Sequence, residues 1–523
     1  MRFFPLPSES GRRRPAIPLV AVGVVAASLG AVSAAPSAAS ADGRIAQAAR
    51  TGKASAAGEQ LDWNPCVKVA KDWDKSDTKT ECAMLTVPMD YAEPQGRKIK
   101  IAVSRLKAAD PAKRRGSLFY SPGGPGLFNL YAPQSFAEGG LGTLATDHDV
   151  IGFDPRGVGY SEKKDCESAE YPGEPADATP KERAKIAYDY WAEEDKRCAA
   201  LDPAFARQLT TANIARDVDR IRAALGEKKI SFFGVSYGTA VGANYRSMFD
   251  DRVSRMWLES VMPPKMDFDA MNASLDALSE NNFGEFAQWL SRHDVEYHFG
   301  TTADAVRHTL FDLRDQLTQK PRKVDEGTVL DGEWVTGRLG GGPGQWVESA
   351  RDLATVREGG IPHSARPTAK SAWAARRPSA RVFGFEDPHG GFNNLQYDAV
   401  MCNDGAGGRD FEKVWADKKA REQTYPATGG SLEFGKYCAG WPWPAQQWKP
   451  VKGKSPLQIS GHTGEDTTPY DWAVDLKNAI GGTLLTIEDN QHASLSRVPE
   501  CAAKAVDFFR TGHTSGGVCP GAQ

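Results

Sequence analysis

The chain has little net charge, no Cys-x-x-Cys motif and no evident internal repeat, and each absence argues against a class of protein. A formal net charge of −3 over 523 residues gives no basic surface for nucleic acid or for an acidic membrane. Without Cys-x-x-Cys pairs, a zinc site or a redox motif has little support. We therefore expect a globular protein that has no nucleic-acid partner and uses no metal or organic cofactor.

The N-terminal segment differs from the rest of the chain. Three consecutive arginines precede the apolar run Ala16–Val32, which is too short and too rich in glycine and alanine for a good membrane span. Small residues follow, with possible cleavage sites at Ala39–Ala41 and Val32–Ala34. We predict a signal peptide over residues 1–41 and a linker or short propeptide over residues 42–60; a membrane anchor is the weaker alternative. The mature protein would be extracellular.

Cysteine usage agrees with export. The eight cysteines form four neighbouring pairs along the chain, so the simplest hypothesis is four local disulfides, although spacing alone does not fix the connectivity. They are Cys66, Cys82, Cys166, Cys198, Cys402, Cys438, Cys501 and Cys519.

Short apolar runs that end in turn residues predict the strands of a sheet. A run with helical spacing, Ile214–Leu225, precedes one of them. Strands that alternate with helices indicate an α/β protein with a mostly parallel sheet covered on both faces. The predicted strands are Met84–Pro88, Ile99–Leu106, Ser117–Tyr120, Val150–Phe153, Ile230–Phe233, Leu457–Ser460 and Thr483–Ile487.

The pattern changes in the middle of the chain. Helical runs such as Ala303–Leu317 alternate there with glycine-rich turns and many tryptophans. We predict an inserted, mainly helical cap domain over residues 263–452. The core would then consist of residues 61–262 and 453–523, closed by a last helix, Ala502–Phe509.

The strongest local motif is Gly234-Val235-Ser236-Tyr237-Gly238. It follows a predicted strand and precedes a predicted helix, which is the setting of the nucleophile elbow of α/β hydrolases. The two glycines remove side chains that would collide in so sharp a turn. The motif predicts the α/β-hydrolase fold with Ser236 as the nucleophile. An epoxide hydrolase or a dehalogenase is disfavoured, because those enzymes carry aspartate at this position.

A second glycine-rich loop, Ser121–Gly126, also follows a strand. Such a loop exposes backbone N–H groups, and in this fold one of them joins the N–H of the residue after the nucleophile to bind an oxyanion. We predict Tyr237 and Gly124 as the oxyanion-hole residues. A simple glycine turn is the alternative.

A third loop, Asp154–Ser161, carries two charged residues and two glycines. We expect a structural role, with Asp154 and Arg156 forming an ion pair that orders the loop. Direct catalysis is the minority interpretation.

A serine nucleophile needs a base and an orienting acid, which in this fold follow in the order Ser, Asp or Glu, His. His492 is favoured as the base over His462 and His513, because it lies in the loop after the last predicted strand. Asp466 and Glu465 both qualify as the acid. We choose Asp466, because aspartate is the commoner orienting acid.

Together these motifs resemble the secreted tripeptidyl aminopeptidases of actinomycetes, which are relatives of the proline iminopeptidases. The resemblance extends from about Trp63 to Cys519. The stretch His293–Gly300 is similar to the branch that accepts proline before the cleaved bond. This chain departs from the family at two points. The family has Asn or His where this chain has Ser121, and the family's spacing from the acid to the Thr-Pro pair places the acid at Glu465. The remaining stretches that carry the resemblance are Cys82–Tyr91, Pro122–Gly126, Asp154–Ser161, Gly234–Gly238, Met401–Asp404, Thr468–Tyr470, and His492 with Cys501 and Cys519.

The resemblance implies a monomeric exopeptidase that cleaves short peptides from free N-termini through an acyl-enzyme. Recognition of the α-amino group would require a carboxylate, for which Glu259 and Asp404 are candidates by position alone. The main alternative is a carboxylesterase or lipase with the same triad, but the charged, Gly/Pro-rich insertion is unlike an apolar lipase lid. A third hypothesis, a non-catalytic binding protein, predicts a broken triad, whereas the positions of the nucleophile, the acid and the base are all filled here.

Overall fold

The computed structural model describes residues 61–522, apart from residues 72, 176–177, 325–328, 366–391 and 431–437. The predicted signal peptide (1–41) and linker (42–60) lie outside the described residues.

A ten-stranded sheet, in the order β1-β2-β3-β5-β4-β6-β7-β10-β11-β12, forms the centre of the fold. The pairs β1/β2, β2/β3 and β3/β5 are antiparallel, and all later pairs are parallel, as predicted. The strands are β1 Asn64–Pro65, β2 Glu81–Pro88, β3 Lys98–Leu106, β4 Ser117–Ser121, β5 Asp149–Phe153, β6 Ile230–Val235, β7 Val253–Glu259, β10 Leu457–His462, β11 Thr483–Glu488 and β12 Gly517–Pro520, with β8 Arg322–Lys323 and β9 Val329–Leu330 forming a separate two-stranded ladder.

Helices cover both faces of the sheet and form just over half of the described residues of the insertion between β7 and β10. Several begin at side-chain caps; for example, Thr210 accepts a hydrogen bond from Asn213 N. The helices are α1 Cys66–Val69, α2 Ala132–Glu138, α3 Pro180–Ala199, α4 Pro203–Ala206, α5 Thr211–Ala224, α6 Tyr237–Phe249, α7 Phe268–Arg292, α8 Asp294–Tyr297, α9 Ala303–Gln319, α10 Gly332–Thr336, α11 Trp346–Arg357, α12 Asn394–Asp404, α13 Phe411–Thr424, α14 Tyr470–Ile480 and α15 Pro499–Thr511.

Neighbouring residues of the central strands point to opposite faces of the sheet, and each face has its own core. Phe232 and Met256 lie in the larger core, which α5, α6 and α14 cover. Phe233 and Trp257 lie in the second core, which α15 covers. Because both faces are buried, these strands are almost continuously apolar, and their inner positions hold few charged residues.

The insertion divides between two cores. The first turns of α7 and most of α12 pack into the larger sheet core, through residues such as Phe268 and Leu395. The second half of α7, with α9 and α11, forms a separate core around Phe283, Leu310 and Leu353. The helical character of the insertion is as expected, whereas the domain limits 263 and 452 remain a prediction.

Four disulfides join the cysteines in the local pairs expected from the sequence. They are Cys66–Cys82, Cys166–Cys198, Cys402–Cys438 and Cys501–Cys519. Among the helices that the structure describes, none has the length and apolar character required to cross a bilayer.

Candidate active site

Ser236 occupies a strained turn between β6 and α6. Its backbone angles are φ 54° and ψ −129°, a conformation that residues other than glycine rarely adopt. A Cβ at Gly238 would lie 2.1 Å from the carbonyl oxygen of Ser121, and one at Gly234 would lie 2.7 Å from the carbonyl oxygen of Gly238. The two glycines are therefore required by close backbone contacts, and the geometry is that of a nucleophile elbow.

The end of β7 supports this turn. Ser236 N donates a 3.0 Å hydrogen bond to the carbonyl oxygen of Glu259, and the next residue, Ser260, is a second buried residue with a positive φ, 50°. Sequence analysis missed this strand, because Ser254 and Arg255 interrupt its apolar run.

His492 lies in the loop after β11 and is hydrogen bonded through Nδ1 to Oε1 of Glu465. Glu465, in the loop after β10, is fully buried. Asp466, the acid chosen from the sequence, does not take this place: its Oδ2 accepts a 3.1 Å hydrogen bond from Gln345 Nε2, and its Oδ1 accepts one from Thr467. The acid assignment is therefore corrected to Glu465, since adjacent loop residues direct their side chains differently.

Three further donors fix the Glu465 carboxylate. Thr468 donates to Oε1 from both its backbone N and its hydroxyl, and Ser260 Oγ donates to Oε2 at 2.9 Å. Burial by itself raises the pKa of Glu465, but the hydrogen bond and charge of His492, with smaller contributions from His462 and Thr468, hold that pKa below its ordinary value. An ionised carboxylate thus faces Nδ1 of His492, which leaves Nε2 as the ring nitrogen that can accept a proton.

Ser260 also joins the acid to the histidine loop, because its Oγ accepts a 3.1 Å hydrogen bond from Ala493 N. Sequence reasoning missed Ser260 and Thr468 as supports of the acid. Their only signal was position, one at the end of an unrecognised strand and the other three residues after Glu465.

The glycine-rich loop after β4 lies directly against Ser236. A Cβ at Gly123 would be 3.0 Å from Cβ and 3.5 Å from Oγ of Ser236, so only glycine leaves room for the serine there. Gly124 follows it with φ 117°. Tyr237 is the first residue of α6 and is buried. The two segments expected to supply oxyanion donors therefore both adjoin Ser236.

Helix α12 of the insertion holds both of these segments. At its N-terminal end, Gln396 Oε1 accepts from Gly126 N, and Asn393 N donates to Gly126 O at 2.9 Å. At its C-terminal end, Asp404 accepts a 2.8 Å hydrogen bond from Thr211 N. The Thr211 hydroxyl is in turn 2.8 Å from the Tyr237 hydroxyl.

One further expectation, the ion pair within the loop Asp154–Ser161, is wrong. Arg156 does not pair with Asp154 but makes a bidentate, fully buried ion pair with Asp217, at 2.7 Å for each bond. Asp154 instead accepts three backbone N–H groups, from Asn129, Leu130 and Tyr160. Burial raises the pKa of Asp154 to about 6 despite those bonds.

The two carboxylates considered for substrate amine recognition are both buried and bonded within the protein. Glu259 accepts a 2.8 Å hydrogen bond from Leu495 N, and Asp404 bonds Thr211. Burial raises the pKa of Asp404 to about 7, against the lowering effect of the Thr211 bonds. Each carboxylate therefore already has a partner within the protein, and its part in amine recognition stays a prediction from position alone.

Known proteins are similar in sequence to most of this chain. Residues 117–339 match a family model described as "alpha/beta hydrolase fold", and residues 426–519 match one described as "TAP-like protein". The tripeptidyl aminopeptidase of Streptomyces lividans is 32% identical over 90% of this chain and 88% of that protein. The chain belongs to the tripeptidyl aminopeptidase family of α/β hydrolases.

Two further relatives are less similar to this chain. Serine protease Hip1 and carboxylesterase B, both of Mycobacterium tuberculosis, are each 28% identical over 88% of this chain and 90% of their own length. Membership in this family makes the chain a serine hydrolase, and its peptidase relatives support a serine peptidase.

Proposed function

We propose that this protein is a secreted, monomeric serine exopeptidase that releases short peptides from free N-termini. Tripeptides with proline before the cleaved bond are the proposed products. The Glu465–His492 pair carries the proposal. The pair lies at the same carboxyl edge of the sheet as the strained Ser236, and the end of β7 bonds both Glu465 and Ser236.

The proposed reaction is acyl transfer in two steps. His492 removes the proton of the Ser236 hydroxyl as the oxygen attacks the scissile carbonyl, and Glu465 stabilises the resulting imidazolium. The backbone N–H of Tyr237 and one from the Gly123–Gly124 segment would bind the oxyanion. His492 then protonates the leaving amine, and water activated by the same histidine hydrolyses the acyl-enzyme.

A contact between the insertion and the catalytic loops supports exopeptidase action. Gln345 bonds Asp466, the residue next to Glu465, and a Cβ at Gly342 would lie 3.5 Å from Nδ2 of Asn490. The glycine-rich segment 340–345 therefore lies over the loops that carry the acid and the base. Such a cover would stop long N-terminal extensions from entering, which would limit the length of the released peptide.

Secretion is supported by the disulfides, because four such bonds persist in an oxidising compartment and are rare in the cytosol of mesophiles. The predicted signal peptide provides the export route.

The test is amine release from Ala-Ala-Pro-anilide with either a free or a succinylated N-terminus. We expect the wild type to cleave the free form, and Ser236→Ala to lose at least about 10⁴-fold in kcat. Ser247→Ala is the matched control, since Ser247 lies on the same helix and its hydroxyl bonds the backbone of Val451. Equal cleavage of both substrates would contradict recognition of the amine.

A carboxylesterase is the second candidate, favoured by the relative that bears that name. Hydrolysis of short acyl esters without cleavage of either anilide would establish it and reject the exopeptidase.

A further inference from the structure

A second histidine lies beneath the catalytic loops and takes no part in the proposed reaction. His462, at the end of β10, is fully buried between two carboxylates that come from different strands or loops. Its Nδ1 is 2.7 Å from Oδ1 of Asp489, and its Nε2 is 3.5 Å from Oε1 of Glu259. Both carboxylates are also almost fully buried, with side chains that are 2% and 1% exposed.

These two carboxylates hold both ends of the segment that carries His492. Asp489 lies before it and accepts hydrogen bonds from Ser494 Oγ at 2.5 Å and from Ala522 N at 2.7 Å. Glu259 accepts the N–H of Leu495, just after it, at 2.8 Å. His462 therefore joins the two anchors of the catalytic loop across the sheet edge.

The charges around His462 favour a cation at this position. Glu259, Asp489 and the acid Glu465 bring three buried carboxylates close together, and buried carboxylates are costly unless they are paired. An imidazolium at His462 would donate from both ring nitrogens, one to each neighbouring carboxylate. Burial alone lowers the pKa of His462, but its hydrogen bond to Asp489, its 3.5 Å contact with Glu259 and the charges of Glu259 and Glu465 raise that pKa to about 10. The pKa of Asp489 falls correspondingly to about 2.

We propose that His462 is a positioning residue of this hydrolase: a permanent imidazolium that anchors the His492 loop and offsets the negative charge around the Glu465–His492 pair. The proposal rests on the proposed function for its kinetic consequences, but the charge state of His462 can be measured independently of activity.

The first test uses the wild-type protein labelled with ¹⁵N-histidine. An ordinary histidine is neutral well above pH 6.5. We expect one imidazole to keep the ¹⁵N shifts of a doubly protonated ring at pH 8, where ordinary histidines are neutral. Absence of any cationic imidazole at pH 8 would overturn the proposal, even if the enzyme cleaves peptides as proposed.

The second test compares His462→Gln with His148→Gln. His148 is also buried beside a carboxylate, 2.9 Å from Asp147, but it precedes β5 at the opposite edge of the sheet. Burial lowers the pKa of His148, so its replacement removes a histidine of comparable burial without removing a charge near the site. It controls for the loss of a buried imidazole as such.

We expect His462→Gln to lower kcat by roughly 10- to 100-fold with little change in KM, because the His492 loop loses its anchor. Removing the positive charge of His462 also makes protonation of the nearby His492 more favourable. The acid limb of the kcat/KM profile should therefore move to higher pH by roughly half a unit or more. His148→Gln should leave that limb in place.

An unchanged acid limb in a folded His462→Gln variant would overturn the proposal. If that variant does not fold, the wild-type ¹⁵N measurement still decides it. Should anilides prove not to be substrates, the same profile is measured with a short acyl ester, so that failure of the exopeptidase assignment is distinguishable from failure of this inference.

Discussion

Replacing Glu465 by glutamine preserves the shape of the side chain but removes the charge that faces His492. The structure has four hydrogen bonds entering this carboxylate, from His492, Ser260 and the two donor groups of Thr468. A glutamine can keep its oxygen towards His492 and turn its amide towards Ser260, whose hydroxyl can accept. The fold around the site should therefore survive Glu465→Gln, and the main loss is electrostatic.

The size of that loss follows from Coulomb's law. A carboxylate about 4 Å from an imidazolium, at an effective dielectric constant near 20, stabilises it by about 4 kcal/mol. This stabilisation exists only once His492 has taken the proton, so it contributes to the transition state and is worth about 10³-fold in kcat. If the amide instead faces Nδ1, the histidine is held in the wrong tautomer, and the loss approaches about 10⁴-fold.

The assay is the rate of amine release from free Ala-Ala-Pro-anilide, with circular dichroism to confirm folding. Asp466→Asn is the matched control, because Asp466 is the adjacent carboxylate and bonds Gln345 and Thr467 rather than His492. We expect it to retain kcat within about twofold. The reasoning is refuted if Asp466→Asn loses 10³-fold while Glu465→Gln remains active.

Three further changes test the supporting structure. Gly238→Ala should abolish activity or folding, because the new Cβ would lie 2.1 Å from the carbonyl oxygen of Ser121. Gly344→Ala is its control: a Cβ there would have no atom within 4 Å, so this variant should behave as wild type in the same anilide assay. Arg156→Met leaves a buried carboxylate unpaired and should lower the free energy of unfolding in urea by about 3–5 kcal/mol; an unchanged midpoint would count against the ion pair. The double variant Cys402→Ser/Cys438→Ser opens a loop closed across 36 residues and should lose about 3–4 kcal/mol, seen as a lower Tm; no change in Tm would contradict the bridge.

Much of this arrangement follows from local sequence patterns. The elbow at Ser236 and the glycine loop at Ser121–Gly126 are short segments whose geometry depends on their own residues, and both lie where a strand–loop–helix pattern predicts them. His492 was found by order along the chain, since it follows the last strand of the predicted set.

What could not be predicted depends on contacts between distant segments. Glu465 and Asp466 are adjacent, and only the path of the loop decides which of them faces His492. Arg156 pairs with Asp217, which is 61 residues away, while the sequence offered Asp154 two residues away. The role of Ser260 could not be predicted, because polar residues interrupt the apolar run of β7 and the strand was not recognised from the sequence.

The position of α12 has a consequence for exchanging parts between relatives. Its side chains pack into the sheet core and bond the Gly126 loop, while the segment around Phe283, Leu310 and Leu353 has a core of its own. A chimera that transplants the whole insertion would therefore bring a foreign helix against the Gly126 loop. One that transplants only residues 283–356 would replace the segment that contacts Asp466 and leave α12 with the sheet core to which it is fitted.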